Sequence, residues 1–230
     1  MQLARIERLL VGKAVPFTRD GSQSAIAKQP VAGPQYADSQ GLQGDEQGDR
    51  KVHGGIHKAL HHYPFDHYRR WIDQLGPRAL LGQPGAFGEN ISTLGLTEAD
   101  LCLGDVLRCA DVMLEVVQTR QPCWKLNDRF DVPDMSLRMQ QSGMTGWYYK
   151  VLEPGYLEAG QTLMLEHRPF PRWPLPRVLE VLYQRPLDQA ALRELRGLPL
   201  VPSWRDLVER RLELGQVEDW NKRLYGVLEN

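Results

Sequence analysis

No run of apolar residues in this 230-residue chain approaches the roughly 20 that a membrane-crossing helix requires, so a helical span is excluded. The N-terminal MQLARIERLLVGKAVPF has too short an apolar stretch for the core of a secretory signal, and a cytoplasmic location is expected. Cysteine is scarce: Cys102, Cys109 and Cys123 are an odd number in a chain long enough to build a core without staples. That argues against a disulfide framework and for a reducing compartment. No excess of either charge exists, because 28 basic and 29 acidic side chains nearly cancel. Such a balance exerts no general pull on nucleic acid or on an anionic membrane, so neither is expected as a partner. Regular βαβ alternation is missing as well, which speaks against a doubly wound sheet.

What is present, up to about residue 167, is a series of short segments rich in β-branched and aromatic residues and bounded by glycine and proline. Ala4–Val11, Ser24–Lys28, Phe87–Ser92, Val106–Cys109, Val112–Gln118, Trp147–Leu152 and Thr162–His167 are predicted strands. A helix over Asp66–Leu75 carries Tyr68, Trp71, Ile72 and Leu75 on one face, and a second is predicted near Asp134–Gln141. Many short strands with few helices predict a barrel or folded sheet, a mainly β fold with some α, over residues 1–170. Four prolines, at 169, 171, 174 and 176, then mark a stiff connector. Residues 173–228 read as a small helical domain, with Leu175, Val178, Leu179 and Leu182 at helical spacing and Trp204, Leu207, Val208 and Leu212 repeating it. Ser203 and Asp206 suggest a capping box at the start of the second helix, and a last short helix holds Trp220 and Leu224.

The densest chemistry lies in GLQGDEQGDRKVHGGIHKALHHYPFDHY, residues 41–68. Its glycines, Gly54 and Gly55 among them, permit tight turns that expose backbone N–H groups, and Arg50, Lys51 and Lys58 add positive charge. Together they suit a ligand phosphate, although glycines also serve simply as turns. His57 and His61 have the i, i+4 spacing of a zinc pair, but Gly54 and Gly55 weaken any helix reaching back to His53, and no cysteine lies near. Cys123, in TRQPCWKLNDRF, is flanked by Arg120 and Lys125, cations of the kind that favour a thiolate able to ligate metal or attack an electrophile. Pro122 limits the backbone beside it. Cys102 and Cys109 sit among alternating apolar residues and read as core cysteines. Glu89 and Asn90 of FGEN, residues 87–90, could bond a heterocycle or merely satisfy a turn.

Taken in order, SAIAK (24–28), GLQGDEQGDRKVHGG (41–55), KALHHYP (58–64), FGEN (87–90), GLTEADLCLGD (95–105), RQPCWKL (120–126) and TGWYYKV (145–151) resemble the MOSC family, named for the C-terminal part of molybdenum cofactor sulfurases. Within it the chain is most similar to the YiiM-like branch. The resemblance implies a MOSC-type β-barrel that binds molybdopterin, followed by a small C-terminal three-helix domain. It further implies that Cys123 coordinates molybdenum, that Lys28 and Arg120 contact the cofactor, and that His53 and Asn90 do so with them. Lys51, Gly54 and Gly55 join this set as the phosphate-holding loop, and Glu89 and His53 become candidate proton donors. Family members reduce N-hydroxylated compounds, such as 6-N-hydroxylaminopurine and amidoximes. A small N-hydroxylated substrate is therefore implied, with electrons from a separate flavin or iron–sulfur protein, because the chain carries no flavin or iron–sulfur motif. Pyridoxal phosphate is not expected, since the sulfurases' aminotransferase-like domain is missing. Two other classes stay open: a molybdopterin carrier without turnover, and a Cys–His hydrolase built on Cys123. The C-terminal helices offer faces for a redox partner or for a second copy in a homo-oligomer.

Overall fold

A computed structural model describes residues 1–48 and 54–226. Seven strands form its barrel: β1 (Gln2–Val11), β2 (Leu60–His62), β3 (Ile91–Thr93), β4 (Val106–Cys109), β5 (Val112–Thr119), β6 (Trp147–Glu153) and β7 (Thr162–His167). Their order around the sheet is β1-β3-β2-β6-β5-β4-β7, and β7 closes the circle by pairing with β1, Ala4 opposite Leu163. The β2–β3 contact is parallel, His62 beside Ile91, whereas the other barrel pairs are antiparallel.

Strand alternation sends one set of side chains inward, where Leu9, Leu60, Leu107, Leu114, Val116 and Tyr149 fill the barrel as a solid core. Truncating one of these leucines to alanine costs about 2–5 kcal/mol by analogy with other well-packed cores. The opposite set meets separate neighbours. On β2 the phase puts His62 inside the barrel and His61 outside, beside Tyr148 of β6, with ring centroids 4.9 Å apart.

His62 is buried yet satisfied. Its Nδ1 lies 3.0 Å from the Tyr149 hydroxyl and its Nε2 2.8 Å from Thr93 Oγ1, and two hydroxyls can serve the one donor and one acceptor of a neutral ring. Burial drives its pKa down to about 3 from an ordinary 6.5. Below 6.5 the unfolded chain therefore binds a proton that the folded one refuses, and stability is lost as the solution is acidified towards 3. Denaturant unfolding should show a slope from this residue that steepens below pH 6.5 and approaches about 1.4 kcal/mol per pH unit near pH 5, and His62→Gln should flatten it.

Helices cover the outside. α1 (Asp66–Leu75), α2 (Lys125–Phe130) and α3 (Met135–Ser142) enclose an aromatic cluster in which Phe87 stacks on Tyr63 at 4.1 Å. After the barrel come α4 (Leu175–Leu179), which runs on into a π-helical turn at Glu180–Gln184, then α5 (Gln189–Arg196), α6 (Pro202–Leu214) and the short α7 (Asn221–Tyr225). The α4–α6 group packs on Val117, on the outer face of β5, and on Leu103. No helix among the described residues is long and apolar enough to cross a membrane.

Several local expectations need correction. Ser24–Lys28 is not a strand: only Gln23–Ser24 is extended, and Lys28 N–H turns back to the Ile26 carbonyl at 3.0 Å. Phe87–Ser92 shrinks to Ile91–Thr93, because the Glu89 carboxylate captures the backbone of its own approach loop. The Ser203–Asp206 capping box does not form. Pro202 occupies the first helical position of α6, its ring presetting the backbone, so the cap falls on Val201.

Candidate functional site

The Ala25–Lys28 turn, the Gly88–Asn90 approach to β3, His61 of β2 and the loop from Arg120 to Lys125 converge on one cavity outside the barrel. Cys123 lines it, 9% exposed. Beside it lies a larger chamber of about 760 Å³, walled partly by α6 and the segment leading into α7. Gly48, Lys58, Arg120, Cys123, Lys125 and Tyr148 line both spaces. None of the three cysteines is in a disulfide. Burial pushes the Cys109 thiol up to about 12 and also raises that of Cys102, which keeps both as neutral core groups.

The electrostatics favour an anion. Lys28, Lys58, Arg120 and Lys125 line the inner cavity, against the carboxylates Asp45 and Glu46. Arg120 donates to the Phe87 carbonyl and Lys125 Nζ to the Gln23 carbonyl at 2.6 Å. Those bonds aim the two cations without cancelling their charge. Lys28 differs: it is ion-paired with Asp45, and the two side chains are 7% and 6% exposed. Burial lowers the Lys28 pKa, while the Asp45 carboxylate works to hold the proton on. Glycine is required at position 12, where a Cβ would sit 2.6 Å from the Ala25 carbonyl oxygen and 3.1 Å from Lys28 Cγ.

Asp45 gathers the inner end of the site. It accepts from Gly12 N–H at 2.7 Å and from Asn90 Nδ2 at 2.8 Å as well as from Lys28. Asn90 in turn donates to the Leu10 carbonyl at 3.2 Å and accepts from His61 N–H at 3.1 Å. Its amide therefore ties β1, β2 and Asp45 together, although the residue also lines the cavity. His61 lines the cavity too, and its Nε2 is buried with no hydrogen-bond partner among the described residues. Burial, then the charges of Arg120 and Lys28, hold its imidazole well below the ordinary pKa.

The expected residues thus divide. Lys28, Asn90, Arg120 and Cys123 come together. Lys51 and His53 lie outside the described residues. Gly54 and Gly55 do not line the cavity; Gly55 precedes the 3₁₀ turn Ile56–Lys58 that delivers Lys58. Glu89 requires a correction. It is fully buried and faces away from the cavity wall, with its oxygens taken by Gly85 N–H at 2.7 Å, Phe87 N–H at 3.1 Å and the Tyr68 hydroxyl. A carboxylate so committed holds the Phe87 loop in shape and does not line the cavity. The zinc spacing also dissolves, since His57 lies on the 3₁₀ turn and His61 on a strand. No metal-holding cluster of His, Cys, Asp and Glu exists among the described residues. Asp45 and Tyr148 were not singled out in the sequence, and His61 stood out there only as half of a zinc-spaced pair. The alternation of KALHHYP against TGWYYKV carried the signal for the last two, because it puts His61 and Tyr148 on the same outer face.

Comparison with known proteins gives a consistent picture. A family model described as MOSC domain matches residues 49–164, and one described as YiiM-like, 3-alpha helix domain matches residues 173–215. Protein YiiM of Escherichia coli is 39% identical over 208 residues, 90% of this chain and 92% of that protein. A Gibberella moniliformis protein named Reductase is 37% identical over 190 residues, 82% of this chain but 34% of its own length. The crystal structure of YiiM from Escherichia coli superposes with a TM-score of 0.81 at 32% identity, covering 96% of this chain and 99% of that one.

Proposed function

The chain belongs to the MOSC family, and on that premise we propose that it is a molybdenum-cofactor-dependent reductase of N-hydroxylated compounds in which Cys123 is the protein's ligand to the metal. The observation that carries this reading is the convergence of a non-disulfide cysteine with Lys28, Lys58, Arg120 and Lys125 on one cavity wall. The name of the Gibberella relative supports reductive chemistry.

The residues present fit the group. Molybdopterin brings an anionic phosphate and a soft metal centre. A thiolate suits such a metal, and the cationic wall suits the phosphate. The adjoining chamber of about 760 Å³ is within the range of small-molecule sites, large enough for an organic ligand of this class. His61 lines the same cavity, where its neutral imidazole adds a polar group to the wall.

When bound, the molybdenum centre supplies the two-electron change that turns an N–OH group, with two protons, into N–H and water. The protein's share is positional. Arg120 and Lys125, held by backbone carbonyls, orient the anionic end of the cofactor. Cys123 fixes the metal end. His61 manages protons: its ring is neutral at pH 7, so one nitrogen donates while the other accepts. Electrons come from a separate redox protein.

The deciding experiment uses molybdenum-loaded protein with a chemical electron donor. 6-N-Hydroxylaminopurine should be converted to adenine at a rate proportional to molybdenum content. A fully loaded protein that reduces neither this nor several other N-hydroxylated compounds would instead be a cofactor carrier.

A further inference from the structure

Cys123 lies in a short irregular connection between β5 and α2, and the backbone on both sides of it is gripped from the far end of the chain. Arg223 Nη1 donates to the Pro122 carbonyl at 2.6 Å, and its Nη2 to Gln140 Oε1 at 2.6 Å. The Arg223 carbonyl accepts the Trp124 N–H at 2.8 Å. A single residue of α7 therefore holds the peptide just before the cysteine with its side chain and the one just after with its backbone.

The short helix is itself firmly docked. The Leu224 carbonyl accepts from Asn127 Nδ2 at 2.7 Å and Ser136 Oγ at 2.8 Å. Arg19 donates to the Tyr225 carbonyl at 2.7 Å, pairs with Asp128 at 3.0 Å and stacks 4.0 Å above the Trp124 ring. Gly226, at φ +68°, turns the chain away where a Cβ would lie 2.2 Å from Arg19 Nη1 and 3.0 Å from Trp124 Cγ. Upstream, fully buried Arg211 of α6 binds Glu218 through Nη2 at 2.7 Å and Nε at 2.9 Å, which turns the chain back towards the barrel. Trp220, Lys222 and Arg223 then form part of the wall of the outer chamber.

We propose that α7 is a clasp for the active cysteine and that Arg223 is its positioning residue, so the last turn of the described chain is a working part of the site. A thiol on an unsupported loop samples several directions, and a displacement of about 1 Å is enough to spoil a ligand or nucleophile geometry. The two bonds from Arg223 remove that freedom at Pro122 and Trp124. The inference rests on Cys123 being the working sulfur, as proposed above, but its test needs no cofactor.

In the cofactor-free, full-length protein, alkylation by iodoacetamide can be followed at each cysteine by peptide mass spectrometry. Arg223→Ala should speed modification of Cys123 about tenfold, equivalent to about 1.4 kcal/mol of lost protection. Cys102 and Cys109 should react as slowly as in the parent, and hydrogen exchange should rise across residues 120–126. Arg223→Lys, which keeps one donor within reach of the Pro122 carbonyl, should restore most of the protection. Gly226→Ala should act like Arg223→Ala, because it drives α7 off Arg19 and Trp124. An unchanged Cys123 rate in Arg223→Ala would overturn the clasp. So would a parallel rise at all three cysteines with a lowered melting temperature, since that signals general loosening. Failure of this test leaves the molybdenum reading untouched, and failure of turnover leaves the protection of Cys123 by Arg223 standing while removing its catalytic purpose.

Discussion

Replacing Cys123 with alanine is expected to reduce turnover of N-hydroxylated substrates on the order of 1000-fold or more, the scale seen when a group acting directly on a reaction centre is removed. Stability should change little. The thiol is small and lies at the cavity edge, so truncation removes a few contacts and leaves a space that water can enter. Cys109→Ala should do the reverse. That thiol is fully buried inside the barrel and lies 3.5 Å from Gln161 Oε1, and burial holds it protonated. Its loss should lower the unfolding free energy by about 1 kcal/mol with turnover retained. Measuring molybdenum content, melting temperature and turnover for both variants separates the roles. Normal turnover in Cys123→Ala would remove the ligand assignment, whatever the other numbers showed.

The parts of this site that could be read from the chain are those set by local pattern. Cys123 stands out because Arg120 and Lys125 flank it within five residues, and both do line its cavity. The helix around Asp66–Leu75 was legible, since its apolar positions repeat at helical spacing and Gly76 follows. Strands β4 to β7 were legible from short runs rich in β-branched and aromatic residues between turn formers. What could not be read is what depends on distant partners. Nothing near Asp45 announces that it will meet Lys28, Gly12 and Asn90, separated from it by 17, 33 and 45 positions. Lys28 looked like the end of a strand because Ala25 and Ile26 are apolar, but here they turn inward to bring the ammonium to Asp45. The FGEN carboxylate looked available for chemistry because a turn and a binding loop share composition. Only the fold shows that Gly85, Phe87 and Tyr68 consume it. The docking of α7 was hidden most completely, because a five-residue helix has almost no periodicity and its bonds run over 80 to 206 positions to Arg19, Pro122, Asn127, Ser136 and Gln140.

Removing the Asp45 carboxylate should produce the largest stability loss in the molecule outside the barrel core. Asp45→Ala strips a buried ammonium of its counter-ion and leaves Gly12 N–H and one Asn90 donor without their acceptor. Breaking a buried ion pair from one side costs about 3–5 kcal/mol, much of a typical domain's stability, and for this length should lower the melting temperature by about 10 °C. Asp45→Asn is more informative. An amide oxygen still accepts from Gly12, but the charge that kept Lys28 protonated is gone, so burial lowers the Lys28 pKa further. Between that lowered value and the ordinary 10.5, the unfolded chain carries a proton on Lys28 that the folded chain does not. Stability of the variant must then rise with pH across that window, more steeply than in the parent. The same neutralised lysine would no longer attract an anionic cofactor. Retention of phosphate-bearing ligand should therefore weaken in Asp45→Asn as pH rises while the fold grows more stable, two trends of opposite sign from one titrating group. Parallel trends, or flat ones, would mean that Lys28 stays charged without Asp45 and that the pair serves only to pack the turn.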